Sequence, residues 1–215
     1  MSGGGSRLIL LLLFPALLGC AARRMNVEVP SAAISSYSAA IQLTATFGGH
    51  GMTASGGCAV DPARGARVEL RDASGATRLL LLFDSRHASL MDVSRGLVYS
   101  WQAASADMPW SASDLWFIFA GGTPPGLRAV RSSEEGQDRT AWSNALGTLR
   151  CRFLPSEDSP LTYGDARCKG PGRARLDVSW HAFQRTPIPA EAFQPPPDLV
   201  FTAASARDLL EGASP

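Results

Sequence analysis

The sequence predicts a mainly β (α+β) domain: an antiparallel sheet that has to curve and be covered by helical structure. Three observations lead there. Residues 37–47 alternate, with Tyr37, Ala39, Ile41, Leu43, Ala45 and Phe47 on one side and Ser38, Ala40, Gln42, Thr44 and Thr46 on the other. Period two over such a span is a strand with one buried face. Ala174, Leu176, Val178, Trp180 and Ala182 alternate in the same way with Arg175, Asp177, Ser179 and His181. Between these two segments, Asp114 to Ala120 is apolar nearly all round, and a helix of that kind is buried or lies over apolar surface. A run of one-faced strands interrupted once by such a helix must wrap its apolar face or cover it.

The remaining elements follow in order. Ser31 to Ser36 reads as a short helical lead-in. After the first strand, Gly48 to Gly51 is a turn and Met52 to Val60 returns as a weaker, Gly-rich strand. Arg67 to Arg71 is half solvated, Asp72-Ala73-Ser74-Gly75 turns the chain, and Leu79 to Phe83 is apolar on both faces. Ser89 to Val93 and Leu97 to Trp101 add two short strands around Ser94-Arg95-Gly96. Ser111 or Ser113 caps the helix, and Gly121-Gly122 ends it. A polar loop is expected through Ser132 to Gly136, then strands over Arg139 to Asn144, Thr148 to Leu154, Leu161 to Cys168 and Arg173 to Gln184. Pro187 to Pro197 holds too many prolines for a central strand, so it should cross an edge or an end, with Phe193 as its apolar plug. Beyond Ala203 a loose tail is expected.

The front of the chain reads differently. Met1 to Arg7, the apolar run Leu8 to Phe14 and the small residues before Cys20 have the layout of a secretory signal, with an apolar core too short for a comfortable spanning helix. The expected organisation is a signal over 1–19, a tether over 20–30, one domain over 31–203 and a tail over 204–215. The whole chain has 20 basic and 19 acidic side chains, and the signal removes one Arg. The balanced, unclustered charge gives no argument for nucleic acid. Of the four cysteines, Cys58, Cys151 and Cys168 remain once Cys20 is set aside. Either Cys151 and Cys168 bridge neighbouring strands, worth about 3 kcal/mol for a loop of that size, or all three are buried thiols. No second Cys or His stands near them at zinc-ligand spacing, so neither a metal site nor a cofactor is expected.

Leu17-Leu18-Gly19-Cys20 resembles the lipobox of bacterial lipoproteins. The resemblance implies a diacylglycerol on Cys20 and cleavage just before it. Ala21, standing where Asp would signal retention at the inner membrane, implies an outer-membrane address on the periplasmic face. Each acyl CH2 buried in a bilayer contributes roughly 0.8 kcal/mol, so two or three chains would hold the protein there almost permanently.

The order of features also resembles the lipoprotein carrier and receptor family, LolA and LolB. Three stretches carry the likeness: Arg71 to Thr77 before the Leu run, Met108-Pro109 before Ser113-Asp114-Leu115, and Trp180 to Phe183 with Pro187-Ile188-Pro189 and Phe193. The resemblance implies an unclosed β half-barrel with helices filling its mouth. In the receptor a protruding Leu just before the turn Gly delivers cargo into the membrane. Here that membrane-insertion position holds Ser74, and a hydroxyl cannot serve as an apolar wedge.

Catalysis finds little support. His50, His87 and His181 are the only histidines, and neither a Gly-x-Ser-x-Gly elbow nor a His-Glu-x-x-His pair is present. Asp84-Ser85-Arg86-His87 holds triad residue types, but adjacency in sequence does not build a triad. The expectation is therefore a non-enzymatic lipid or acyl-chain site lined by Ile41, Leu43, Leu81, Phe83, Leu115, Trp116, Phe119 and Trp180. The competing reading is that these residues fill a core, leaving a structural or assembly lipoprotein that uses the fold for an envelope protein partner.

Overall fold

The alternating segment at the front of the domain is β1, Tyr37–Phe47, and it lies near the middle of one twelve-stranded sheet. The computed structural model describes residues 35–47, 50–102, 108–121, 127–134, 137–144, 150–156, 158–161 and 163–205. The expected lead-in over Ser31 to Ser36 lies almost wholly outside these residues, as do Cys20 and the tether. The strands after β1 are β2 (His50–Asp61), β3 (Gly65–Arg71), β4 (Thr77–Phe83), β5 (His87–Asp92) and β6 (Leu97–Gln102). Helix α1 (Ala112–Ala120) intervenes before β7 (Leu127–Glu134), β8 (Gln137–Asn144), β9 (Arg150–Pro155), β10 (Tyr163–Lys169), β11 (Arg175–Gln184) and β12 (Thr202–Ala204). Their order across the sheet is β12-β6-β5-β4-β3-β2-β1-β11-β10-β9-β8-β7. All pairs are antiparallel except β12 with β6. Strands β12 and β7 form the two edges, so the sheet is unclosed.

The helix shows how strongly the sheet bends. Phe119 meets Phe83 of β4 and Trp180 of β11, each at 5.4 Å between ring centroids, while Phe117 meets Phe153 of β9 at 5.4 Å. Strands β4 and β9 are six places apart, about 29 Å in a flat sheet. A helix of nine residues, about 14 Å long, touches both only because the sheet curls around it. Gly56 permits part of the curl: a Cβ there would lie 1.7 Å from the Glu69 carbonyl oxygen of the adjacent β3.

Helix α1 has the local signals its sequence promised. Ser111 is the N-cap, and Asp114 closes a capping box with it, N–H to Oγ at 3.1 Å and the reciprocal bond at 3.0 Å. Gly121 ends the helix with φ 68° and donates to Phe117 O at 3.0 Å. The carbonyls of Ile118 and Phe119, left over at this end, accept hydroxyl protons from Tyr163 at 2.7 Å and Tyr37 at 2.6 Å. Burial raises the pKa of both tyrosines, so both stay donors.

Four expectations need correction. Among the described residues there is one α-helix, with short 3-10 turns at Pro171–Arg173 and Ala190–Phe193, so within them the sheet is covered by a single α-helix where several were expected. The loop expected before Gly136 is strand β7 up to Glu134; an edge strand is fixed by its backbone pairing to β8 and shows no apolar alternation. Ala182 leaves the buried face of β11, because the register slips between Ser38 and Ala40 and Ala182 takes φ 52°. The Pro-rich segment crosses the outer face of the sheet before it reaches an edge. Arg64 donates to the Ile188 carbonyl at 2.8 Å, and Arg67 to those of Ala192 and Gln194 at 3.0 and 3.2 Å. This strap lies on the face that also buries Leu80 and Met91, and Phe193 is half-buried within it.

Candidate functional site

Two concavities compete for a ligand. The larger, about 570 Å³, is an open groove between the strap and the outer face of the sheet, floored by small residues such as Ala40, Gly57 and Ala59 and walled by Arg67 and Glu69. Arg67 is already engaged by Glu69 through Nε at 2.8 Å and through Nη2, and by the strap carbonyls. The Glu69 carboxyl lies below its usual range, burial being outweighed by the Arg67 and Arg71 guanidiniums. These charges hold the strap in place, and the groove beside them faces water.

The smaller cavity, about 140 Å³, lies inside the curl beneath α1, and every side chain around it is apolar or Pro. Strand β1 supplies Leu43, Ala45 and Phe47, β2 supplies Met52, β3 supplies Val68 and Leu70, and β4 supplies Leu79 and Leu81. Leu90, Trp101, Leu115, Phe119 and Leu176 complete the wall, and Met108-Pro109-Trp110 closes over it. Most of the strand residues follow from alternation: those sharing a face with Leu43 on β1 are set by period two, and the pairing of Val68 with Leu81 carries that face across to β4. Phe47, Met52, Leu79, Leu81, Leu90 and Met108 are only half-buried and mark where the cavity reaches the surface. Trp101 Nε1 donates to the Trp110 carbonyl at 3.1 Å, which pins the closing segment. Trp110 Nε1 is buried without an acceptor.

Of the residues expected to line a lipid site, Leu43, Leu81, Leu115 and Phe119 border this cavity. Ile41, Phe83 and Trp180 do not: they are buried in the packed core, Phe83 and Trp180 against the Phe119 ring. Trp116 is half-buried against the core and also lies off the lining. Reading β1 two residues further, to Ala45 and Phe47, would have found more of the wall than Ile41 did. Nothing short of the fold places Met108, Pro109 and Trp110 there.

The other expected positions are distributed around this site. Cys151 and Cys168 are register partners on β9 and β10, bonded to each other with Cα atoms 4.0 Å apart. Cys58 is a buried free thiol whose pKa burial pushes up to about 12. Ser74 is exposed in the β3–β4 turn, where its N–H and hydroxyl both donate to Asp72 Oδ1, at 2.9 and 2.5 Å. With Arg78 at 2.6 Å from the other carboxylate oxygen, these bonds lower the Asp72 pKa to about 2. His87 and His181 are exposed. Among the described residues no group of His, Cys, Asp and Glu is placed to hold a metal.

No protein-family model matches the chain, and no curated protein does. Solved structures with a similar course exist at very low identity. A LolA superfamily protein from Nitrosomonas europaea is 9% identical, with TM-score 0.47, covering 79% of this chain and 93% of its own. A domain assigned to outer membrane lipoprotein sorting, from Vibrio parahaemolyticus, is 8% identical with TM-score 0.47, covering 74% and 89%. A DUF1329 family protein from Desulfovibrio piger is 12% identical with TM-score 0.44, again covering 74% and 89%. The described residues form a mainly β half-barrel, an unclosed twelve-stranded sheet curled around one helix.

Proposed function

We propose that the protein binds the apolar end of a lipid, or of a lipoprotein's acyl chain, in the cavity beneath α1, and holds or passes it without covalent chemistry. Cys20 would tether it at the periplasmic face of the outer membrane. The observation that carries this reading is the lining: a cavity walled only by apolar side chains and Pro, with a half-buried apolar rim. Hydrocarbon-walled cavities of about 150 Å³ stay dry and accept a molecule the size of benzene. At 140 Å³ this one admits the tip of an acyl chain, and deeper entry requires Met108 and its neighbours to move aside. Met is the side chain best suited to that, being unbranched and easily rearranged.

The small volume favours a second reading, a structural lipoprotein whose core is nearly filled and which binds a protein partner. Mass spectrometry of residues 20–215 carrying Cys20→Ser, exported to the periplasm and purified without detergent, separates the two. Co-purified lipid that disappears in a variant with the cavity filled supports the first; ligand-free protein that retains a specific envelope partner supports the second.

A further inference from the structure

The end of the half-barrel where the cavity reaches the surface carries another feature. Leu199 (39% exposed) and Val200 (93% exposed) are the exposed large apolar residues among those described. Strand pairing places their neighbour Gly96 at the same end as Ser74, Phe47 and the Pro171–Arg173 turn. Val200 is held in place on both sides. Thr202, two residues on, donates to the Gly96 carbonyl at 2.7 Å and begins β12, while Leu199 donates to the Pro196 carbonyl at 3.3 Å. Three consecutive prolines, Pro195 to Pro197, stiffen the approach. One exposed apolar side chain is ordinary, but two adjacent ones fixed outward beside an apolar mouth are not accounted for by the core.

The charge around them is directional. The side chains of Arg71, Arg78, Arg95 and Arg175 are 53, 57, 64 and 53% exposed, whereas their carboxylate partners Glu69, Asp72, Asp92 and Asp177 are 23, 24, 16 and 25% exposed. Cations therefore point outward and carboxylates inward. Lys169 and Arg173 add exposed positive charge at the same end of the sheet, on and after β10, and Asp198 opposes it.

We propose that this end is a membrane contact independent of the lipid anchor: Leu199 and Val200 enter the interfacial layer of an anionic phospholipid bilayer while the exposed Arg and Lys side chains of the same end meet its headgroups. An apolar tip beside outward-facing Arg side chains on the adjoining turn and strands is the combination such surfaces retain. The contact sets the cavity mouth against the bilayer. It does not depend on the cavity holding a lipid.

The test uses residues 20–215 carrying Cys20→Ser, which cannot be acylated, with vesicles of phosphatidylethanolamine and phosphatidylglycerol against vesicles of phosphatidylcholine. The protein is expected to sediment with the anionic vesicles and to be released by salt. Val200→Asp should lower the partition coefficient at least about tenfold, the factor lost with burial of one Val; at so exposed a position the fold is untouched. A polarity-sensitive dye on Val200→Cys should shift to the blue on anionic vesicles only. Equal partitioning of Val200→Asp and the unaltered residue, or a dye that stays in water, overturns the proposal. So does a Val200→Asp effect confined to self-association or to capture of an envelope protein.

Discussion

The Tyr37 hydroxyl donates to the Phe119 carbonyl at 2.6 Å across 82 residues of chain. This bond ties the first strand of the sheet to the last turn of the helix inside it. Both groups are fully buried, so removing the donor leaves a carbonyl that water cannot reach. Tyr37→Phe keeps the ring and is expected to cost about 1–3 kcal/mol, read as a lowered urea midpoint with unchanged m-value. Tyr163→Phe should cost a similar amount through Ile118 O, 2.7 Å away. Because the two carbonyls are adjacent on one helix end, the double variant should depart from additivity. If Tyr37→Phe leaves stability unchanged, this bond does not hold the helix.

Cys58 gives the stability curve a marked alkaline limb. Its folded-state pKa of about 12 exceeds the 9.0 of a free thiol because burial disfavours the thiolate. A proton held more tightly in the folded state contributes stability that is complete below pH 9 and is lost as pH rises towards 12. Tyr37 and Tyr163, also raised, act in the same sense. Between pH 9 and 12 the stability of Cys58→Ala should fall less steeply than that of the unaltered protein, by about 1.4 kcal/mol per pH unit. At pH 8 the thiol should be inert to a disulfide reagent until urea is added; rapid reaction in native buffer would contradict its burial.

Gly56 tests the curl of the sheet. A methyl group there would meet backbone, the Glu69 carbonyl at 1.7 Å, and no side chain can turn away to make room. Gly56→Ala should therefore separate β2 from β3 and destabilise by more than about 3 kcal/mol, beyond the ordinary range for one substitution. Gly57→Ala next to it is the control, since its nearest contact would be an ordinary 3.7 Å. Equal stability of the two variants would show that the sheet bends elsewhere.

How much of this was legible in the sequence depends on what each element is held by. Strands with one buried face announced themselves: β1 runs over the eleven residues whose alternation was plain, and Ser111, with Ser113 as the alternative, and Gly121 marked the two ends of α1. Strand β7, fixed by backbone pairing at an edge, left no such trace. The side of the sheet that the prolines cross was equally hidden, because it is chosen by Arg64 and Arg67 reaching strap carbonyls more than a hundred residues away. The cavity shows the same limit. Alternation identifies the wall-forming face, but whether Ile41 is packed and Ala45 borders empty space depends on where one helix comes to rest.

Ala45 and Ala40 together decide whether the cavity beneath α1 is the binding site. Ala45 borders the cavity and Ala40 floors the outer groove, so the two stand on opposite faces of β1. Ala45→Leu adds three carbon atoms to a space of 140 Å³. It should hold or modestly raise the melting temperature, because the new side chain gains contacts inside an existing space without displacing others. Binding of a small apolar probe such as benzene, or of a fatty acid, should fall by tenfold or more. Ala40→Leu should leave both probes unaffected if the cavity is the site. The reverse pattern, binding lost with Ala40→Leu and kept with Ala45→Leu, would move the ligand to the groove beneath the strap, where Arg67 and Glu69 would select a polar molecule instead.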